Sequence, residues 1–240
     1  MSKILYERKD RVAYVVLNRP EVLNAIDAEM WDELRKSWVR FRDDPEVQVA
    51  IITGAGNRAF SCGDDISEVV GKNAEAQEVE FGASKLPSLD PERGLTVWKP
   101  IIAAINGYCF GEGFFIALSC DIRIASDNAT FAIPEVRLGL MPDRGVTQWL
   151  SRVMPLGITL ELLMSGRTIG AQDAFRFGFV NRVVPQEELL PTVEALAHEI
   201  CDNGPVAVSR VKEAVYRGLG MSLVDGLDLE KHLGELTMQS

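Results

Sequence analysis

Residues 100–126, PIIAAINGYCFGEGFFIALSCDIRIAS, and 131–148, FAIPEVRLGLMPDRGVTQ, decide the fold class of this chain. IIAAI and DIRIA read as short buried strands, and between them the glycine turn Gly111-Glu112-Gly113 opens an apolar helix near Gly113. Strand, helix, strand in that order predicts parallel crossover units of right-handed sense. A glycine turn entering a helix leaves backbone N–H groups pointing outward, with the positive end of the helix dipole behind them. Such a turn can hold a developing negative charge. Alone, G-x-G serves equally well for packing a helix closely on a strand.

Two further segments add weight to the first use. AFSCGDDISEV (59–69) follows the apolar run VAIITGAG and forms a second strand-to-turn junction, with N–H groups around Gly63 and Asp64. Glu135 and Asp143 lie where carboxylates interrupt a long apolar and glycine-rich segment. Around these segments, ILYERKDRVAYVVLNRP predicts a hairpin turning near Lys9 to Arg11. A helix is expected from about Ala28 to Arg42, with Met30, Leu34, Trp38 and Phe41 on one face. Gly71 to Arg93, with Pro87 and Pro91, reads as a polar, partly mobile excursion, and beyond Gln148 the pattern is predominantly helical.

Five motifs in order carry a resemblance over nearly the whole chain: NRPEVLNAID (18–27), AFSCGDDISE (59–68), the NGYCFGEG to CDIRIAS block, PEVRLGLMPDRGVTQ, and SGRTIGAQDAFRFGFVNRVVP (165–185). The chain resembles the crotonase superfamily, the enoyl-CoA hydratase/isomerase family. The resemblance implies an α/β fold, a spiral of ββα units, over residues 1–185, with a helical trimerisation part over 186–240. It also implies a longer final helical stretch than LEKHLGELTMQS (229–240) provides.

The chemistry implied is a thioester enolate held between two backbone N–H groups, which fall here on Asp64 and Glu112. Both positions carry carboxylates, expected to point away from the pocket; for Glu112 a place in the first helical turn suits an acidic side chain. Of the two glutamates that hold water in the family's hydratases, one matches Glu135 and the other falls on Phe115, which can neither orient water nor pass a proton. The resemblance therefore favours double-bond isomerisation with Glu135 as acid and base, and Asp143 is a second catalytic candidate that serves equally as a turn residue beside Arg144. Three alternatives stay open: a hydrolase of the 3-hydroxyisobutyryl-CoA type, a hydratase using another acid, and a non-catalytic acyl-CoA-binding homologue. Glu135, isolated among apolar neighbours, is expected to have a raised pKa. Val22, Asn24, Ala25, Cys62, Asp65 and Ile66, with Phe115, are the residues implied around coenzyme A and the acyl chain. Arg19, Lys3 and Arg8 could reach the coenzyme's phosphates, although solvated surface charge is the simpler reading of each. Coenzyme A is expected as part of the substrate and no cofactor as a permanent resident.

Composition limits the other function classes. A net charge of -10 and a pI near 4.8 leave no basic stripe for nucleic acid. No apolar run reaches the roughly 18 residues of a membrane span, and MSKILYERKD reads as too charged for a secretion signal. Cys62, Cys109, Cys120 and Cys201 are scattered, which favours reduced thiols and a cytoplasmic setting. His198 and His232 are the only histidines and read as solvent-facing, so neither a Ser/His/Asp triad nor a metal site is expected. The expected partners are an acyl-CoA and further copies of the chain, as a homotrimer or a dimer of trimers.

Overall fold

A computed structural model describes residues 2–65 and 95–239; the Gly71 to Arg93 excursion and Ile66 lie outside the described residues. The N-terminal hairpin pairs β1 (Ile4–Lys9) with β2 (Val12–Leu17) antiparallel. Asp10 closes its turn at φ 51°, a left-handed conformation that aspartate tolerates better than most residues. From β2 the sheet continues in parallel through β3 (Val49–Gly54), β5 (Ile101–Ile105), β7 (Ile122–Ser126) and β10 (Arg182–Val184). A second, four-stranded sheet holds β4 (Ala59–Ser61), β6 (Tyr108–Phe110) and β8 (Thr130–Ala132) in parallel, with β9 (Ile169–Gly170) antiparallel at its edge. Each successive turn of chain thus lays a longer strand in the first sheet and a three-residue strand in the second.

Strands β3 and β5 are apolar at nearly every position because both faces of the large sheet are covered. Ala50 and Ile52 face one core, with Ala103 and Ile105 beside them. Val49 and Ile51, with Ile102 and Ala104, face the other. The first core takes Met30, Leu34, Trp38 and Phe41 from helix α1 (Ala28–Asp43), capped by Asp27, whose Oδ1 accepts the Met30 N–H at 2.9 Å. Helix α2 (Glu112–Ser119) adds Phe114, stacked on Phe179 at 4.3 Å and edge-on to Phe131.

Helices α3 (Val146–Val153), α4 (Leu156–Ser165) and α5 (Ala171–Arg176) follow. The second core is closed by α6 (Leu189–Cys201), which lays Leu189, Val193, Ala197 and Cys201 on the sheet with Leu196 and Ile200 beside them. Leu189, Val193, Leu196 and Ile200 fall within the 186–240 part that the resemblance gives to trimerisation, yet they pack in the intramolecular core. Leu190 and Val211 stay exposed, while Val208 is half-buried. Helix α7 (Pro205–Gly218) is tied down by Lys212, which donates to Asp121 at 2.8 Å and to the Lys99 carbonyl at 3.0 Å, and α8 (Leu223–Thr237) packs on α7.

Candidate active site

Three glycines bring the two strand-to-turn junctions together. Gly113 has no room for a side chain, since a Cβ there would lie 2.5 Å from the Ser61 carbonyl oxygen; it is the packing glycine of the triplet. Gly111 has a different task. Its φ of 51° and ψ of -118° suit glycine, and a Cβ on it would lie 3.3 Å from Glu135 Oε1 and 3.7 Å from the Gly63 Cα. Gly63, at φ 101°, approaches from the other side, where a Cβ would lie 3.4 Å from the Glu112 nitrogen. The packing role of the glycine turn thus falls to Gly113, while Gly111 lets the two junctions approach one another.

The residues that follow the two facing glycines are Asp64 and Glu112. Asp64 is fixed by a parallel bridge to Ile26, in which Ile26 N–H donates to the Gly63 carbonyl at 2.8 Å and Asp65 N–H to the Ile26 carbonyl at 2.9 Å. The Asp64 N–H is left on the opposite side of the strand. Glu112 is the first residue of α2, so its N–H has no acceptor within the helix. Among the described residues, no backbone acceptor meets either group.

The carboxylates crowd the same place. Glu135 opens a 3₁₀ turn, Glu135–Leu138, and is half-buried, its Oε2 having no hydrogen-bond partner among the described residues. Burial raises its pKa, and the negative charges of Asp64 and Asp143 push it in the same direction. Asp143 is exposed, on the turn before α3, and within electrostatic reach of Glu135, Asp64 and Glu112. Glu112 does not point into solvent as its place in the first helical turn suggests. Its side chain is 14% exposed, accepts from Arg144 Nε at 3.1 Å, and has its pKa pushed up to about 8 by burial, against the pull of Arg144 and with the help of Asp64, Glu135 and Asp143. Arg144, beside Asp143 in the turn, pairs with Glu112. Trp31, whose Nε1 donates to Asp64 Oδ1 at 3.5 Å, and Arg144 are the members of this cluster that sequence reasoning did not place in the site. A cation in a loop otherwise bearing carboxylates was the available signal.

A match to the enoyl-CoA hydratase/isomerase family model spans residues 7–240. The chain belongs to the enoyl-CoA hydratase/isomerase family. It is 44% identical over 231 residues to the carnitinyl-CoA dehydratase of Proteus mirabilis, covering 95% of this chain and 86% of that one. The carnitinyl-CoA dehydratase of Escherichia coli K12 is 42% identical over 218 residues, covering 90% and 81%. Among solved structures, the enoyl-CoA hydratase of Bacillus anthracis superposes with a TM-score of 0.92 at 33% identity over 100% of this chain and 92% of that one. The two-sheet spiral is the crotonase fold of the enoyl-CoA hydratase/isomerase family, whose substrates are CoA thioesters.

The residues implied around the coenzyme are placed as follows. Val22 is exposed on the 3₁₀ turn Pro20–Val22, Cys62 is half-buried, and Ala25 is buried. Asn24 is fully buried, and its side chain is occupied within the turn: Oδ1 accepts the Arg19 N–H at 2.9 Å while Nδ2 donates to the Ala55 and Ala59 carbonyls. Asp65 pairs with Arg19 at 3.0 Å, and Arg19 also pairs with Asp27 at 3.2 Å. Arg19 and Lys3 thus brace the family's 18–27 motif, and Arg8 pairs with Asp44 and Glu46. Phe115 is 3% exposed and packed in the main core. His198 and His232 are exposed on α6 and α8. Among the described residues there is no cluster of three or more potential metal ligands, and no helix is long and apolar enough to cross a membrane.

Proposed function

We propose that the protein shifts the double bond of an enoyl-CoA thioester: Glu135 removes a proton from C2, the Asp64 and Glu112 N–H groups hold the enolate oxygen, and Glu135 returns the proton at C4. The observation that carries this reading is the Glu135 carboxylate standing over Gly111, where the segments of Asp64 and Glu112 approach one another. A well-aimed donor of this kind stabilises the transition state by about 2.7 to 4 kcal/mol. A positioned general base adds a factor of about 10² to 10⁴. Phe115, apolar and enclosed in the core, supplies no second carboxylate at the position where the resemblance places one. In this reading coenzyme A arrives as part of the substrate, no cofactor resides in the protein, and the enzyme is a cytoplasmic homotrimer or dimer of trimers.

A second reading, addition or removal of water, is favoured by two observations: the named activity of the dehydratases at 42–44% identity, and the buried Glu112 Oε2, which has no partner among the described residues. One experiment separates the readings. The protein is incubated in deuterated water with 2-enoyl-, 3-enoyl- and 3-hydroxyacyl-CoA, and the products are read by mass spectrometry. Isomerisation exchanges hydrogen for deuterium without gain of water. Hydration gains a water, hydrolysis releases free CoA, and unchanged thioesters of all three kinds would leave only acyl-CoA binding. The expected result is isomerisation, with poor hydration of crotonyl-CoA.

A further inference from the structure

Arg144 lies in the turn before α3, and its side chain, 8% exposed, reaches back to both segments that carry the facing N–H groups. Nε lies 3.1 Å from Glu112 Oε1, and Nη2 lies 4.0 Å from Asp64 Oδ2. The guanidinium sits over the ring of Trp31 at 5.0 Å, and Trp31 Nε1 in turn points at Asp64 Oδ1 from 3.5 Å. Trp31, Asp64 and Arg144 thus close a ring of side chains, and Arg144 ties Glu112 to it. We propose that Arg144 is a positioning residue whose single guanidinium ties Asp64 to Glu112 and so fixes the spacing of the two N–H groups that hold the enolate.

The inference rests on the enolate reading given above. Its physical reason is that the two halves of the hole belong to separate segments, Gly63–Asp65 and the start of α2, which meet across glycines that contribute no side-chain packing to hold them. Both segments carry a carboxylate, and Glu135 and Asp143 add two more acids nearby. Unbridged, whichever of these acids are ionised would repel one another and oppose a negative oxygen between them. A guanidinium suits the task because its planar fork can address two acceptors while its face stacks on an indole. An ammonium is a point charge and cannot hold both at a fixed distance.

The test uses acetoacetyl-CoA, whose enolate absorbs in the near ultraviolet, with CoA itself as the reference ligand. Arg144→Gln and Arg144→Lys are expected to weaken acetoacetyl-CoA binding by about tenfold or more and to diminish the bound enolate band, with kcat falling further than KM rises. Affinity for CoA should stay within about twofold. Glu112→Gln keeps the side-chain volume and the backbone N–H. It should shift acetoacetyl-CoA binding in the same direction by a smaller factor, which keeps the proposal exposed to refutation if the Arg144 variants do not fold. Variants that retain the enolate band and the wild-type preference would overturn the bridge alone. So would an equal loss of CoA and acetoacetyl-CoA affinity, which marks a merely structural role. A wild-type protein that binds CoA with no preference for acetoacetyl-CoA would overturn the enolate reading, and the bridge with it.

Discussion

Glu135 and Glu112 occupy one acidic cluster, yet their surroundings prepare them differently. Glu135 is pushed up by burial and by Asp64 and Asp143 against the pull of a backbone N–H, while Glu112 is held by a guanidinium. If Glu135 is the base, Glu135→Gln should lower turnover more than tenfold and leave CoA affinity largely intact, because proton transfer and coenzyme binding use different groups. Retention of more than a tenth of wild-type activity would remove it from that role. The acid limb of the wild-type rate profile should lie above the ordinary glutamate value of 4.5, since only the ionised carboxylate accepts the proton. Glu112 makes a separate prediction about stability. Its proton is held more tightly in the folded chain than in the unfolded one, so the stabilisation is whole below about pH 4.5 and is lost as the pH rises through about 8. Denaturant titrations across that window should show the wild type weakening with pH and Glu112→Gln showing a flatter profile.

At the scale of elements, the site depends on how tightly α2 sits on β4. Gly113 permits that contact, and a methyl there would meet the Ser61 carbonyl at 2.5 Å, a backbone atom with no easy retreat. Gly113→Ala should therefore push the start of α2 away from the strand and destabilise the protein by about 1 to 3 kcal/mol. For a chain of this length that is a fall of roughly 2 to 4 °C in Tm for each kcal/mol, readable by thermal denaturation. The same displacement carries the Glu112 N–H away from Asp64, so kcat should fall as well. A variant with unchanged Tm and unchanged kcat would show that the contact is not what sets the position of α2.

Over the whole molecule, the last two helices present apolar side chains that the fold does not use. Leu223 is 80% exposed and Leu227 54%, one turn apart on α8, with Val211 and Val215 exposed on α7 and Leu219 exposed just past its end. A continuous surface of this kind in a chain carrying ten net negative charges is an expected contact between copies. Light scattering should report a homotrimer or a dimer of trimers, and Leu223→Glu with Leu227→Glu should shift the protein to smaller species while its circular dichroism stays that of a folded chain. A stable, fully active wild-type monomer would sink this assembly. Because α6 is a layer of the core, a deletion meant to test the interface should begin after Gly204 and spare Leu189–Cys201.

The spiral was legible in the chain because its strands are buried on both faces and separated by turn glycines, so apolar runs such as IIAAI and VAIITG announce themselves without reference to distant residues. The α1 face was legible for the same local reason: Met30, Leu34, Trp38 and Phe41 recur at helical spacing. The motif order placed Asp64, Glu112 and Glu135 in one site, since each sits beside a glycine or a strand end whose geometry is set within a few residues. Three things were decided only in the tertiary structure. The apolar residues of α6 could have served either a core or an interface, and only the sheet's outer face, assembled from five segments of chain, fixes which. The direction of the Glu112 side chain depends on Arg144, 32 positions away, and no local rule on helix N-termini contains that partner. The bridge from Arg144 to Asp64 and Trp31 joins residues from three parts of the chain, and a long-range ion pair leaves no periodicity in sequence by which it could be read.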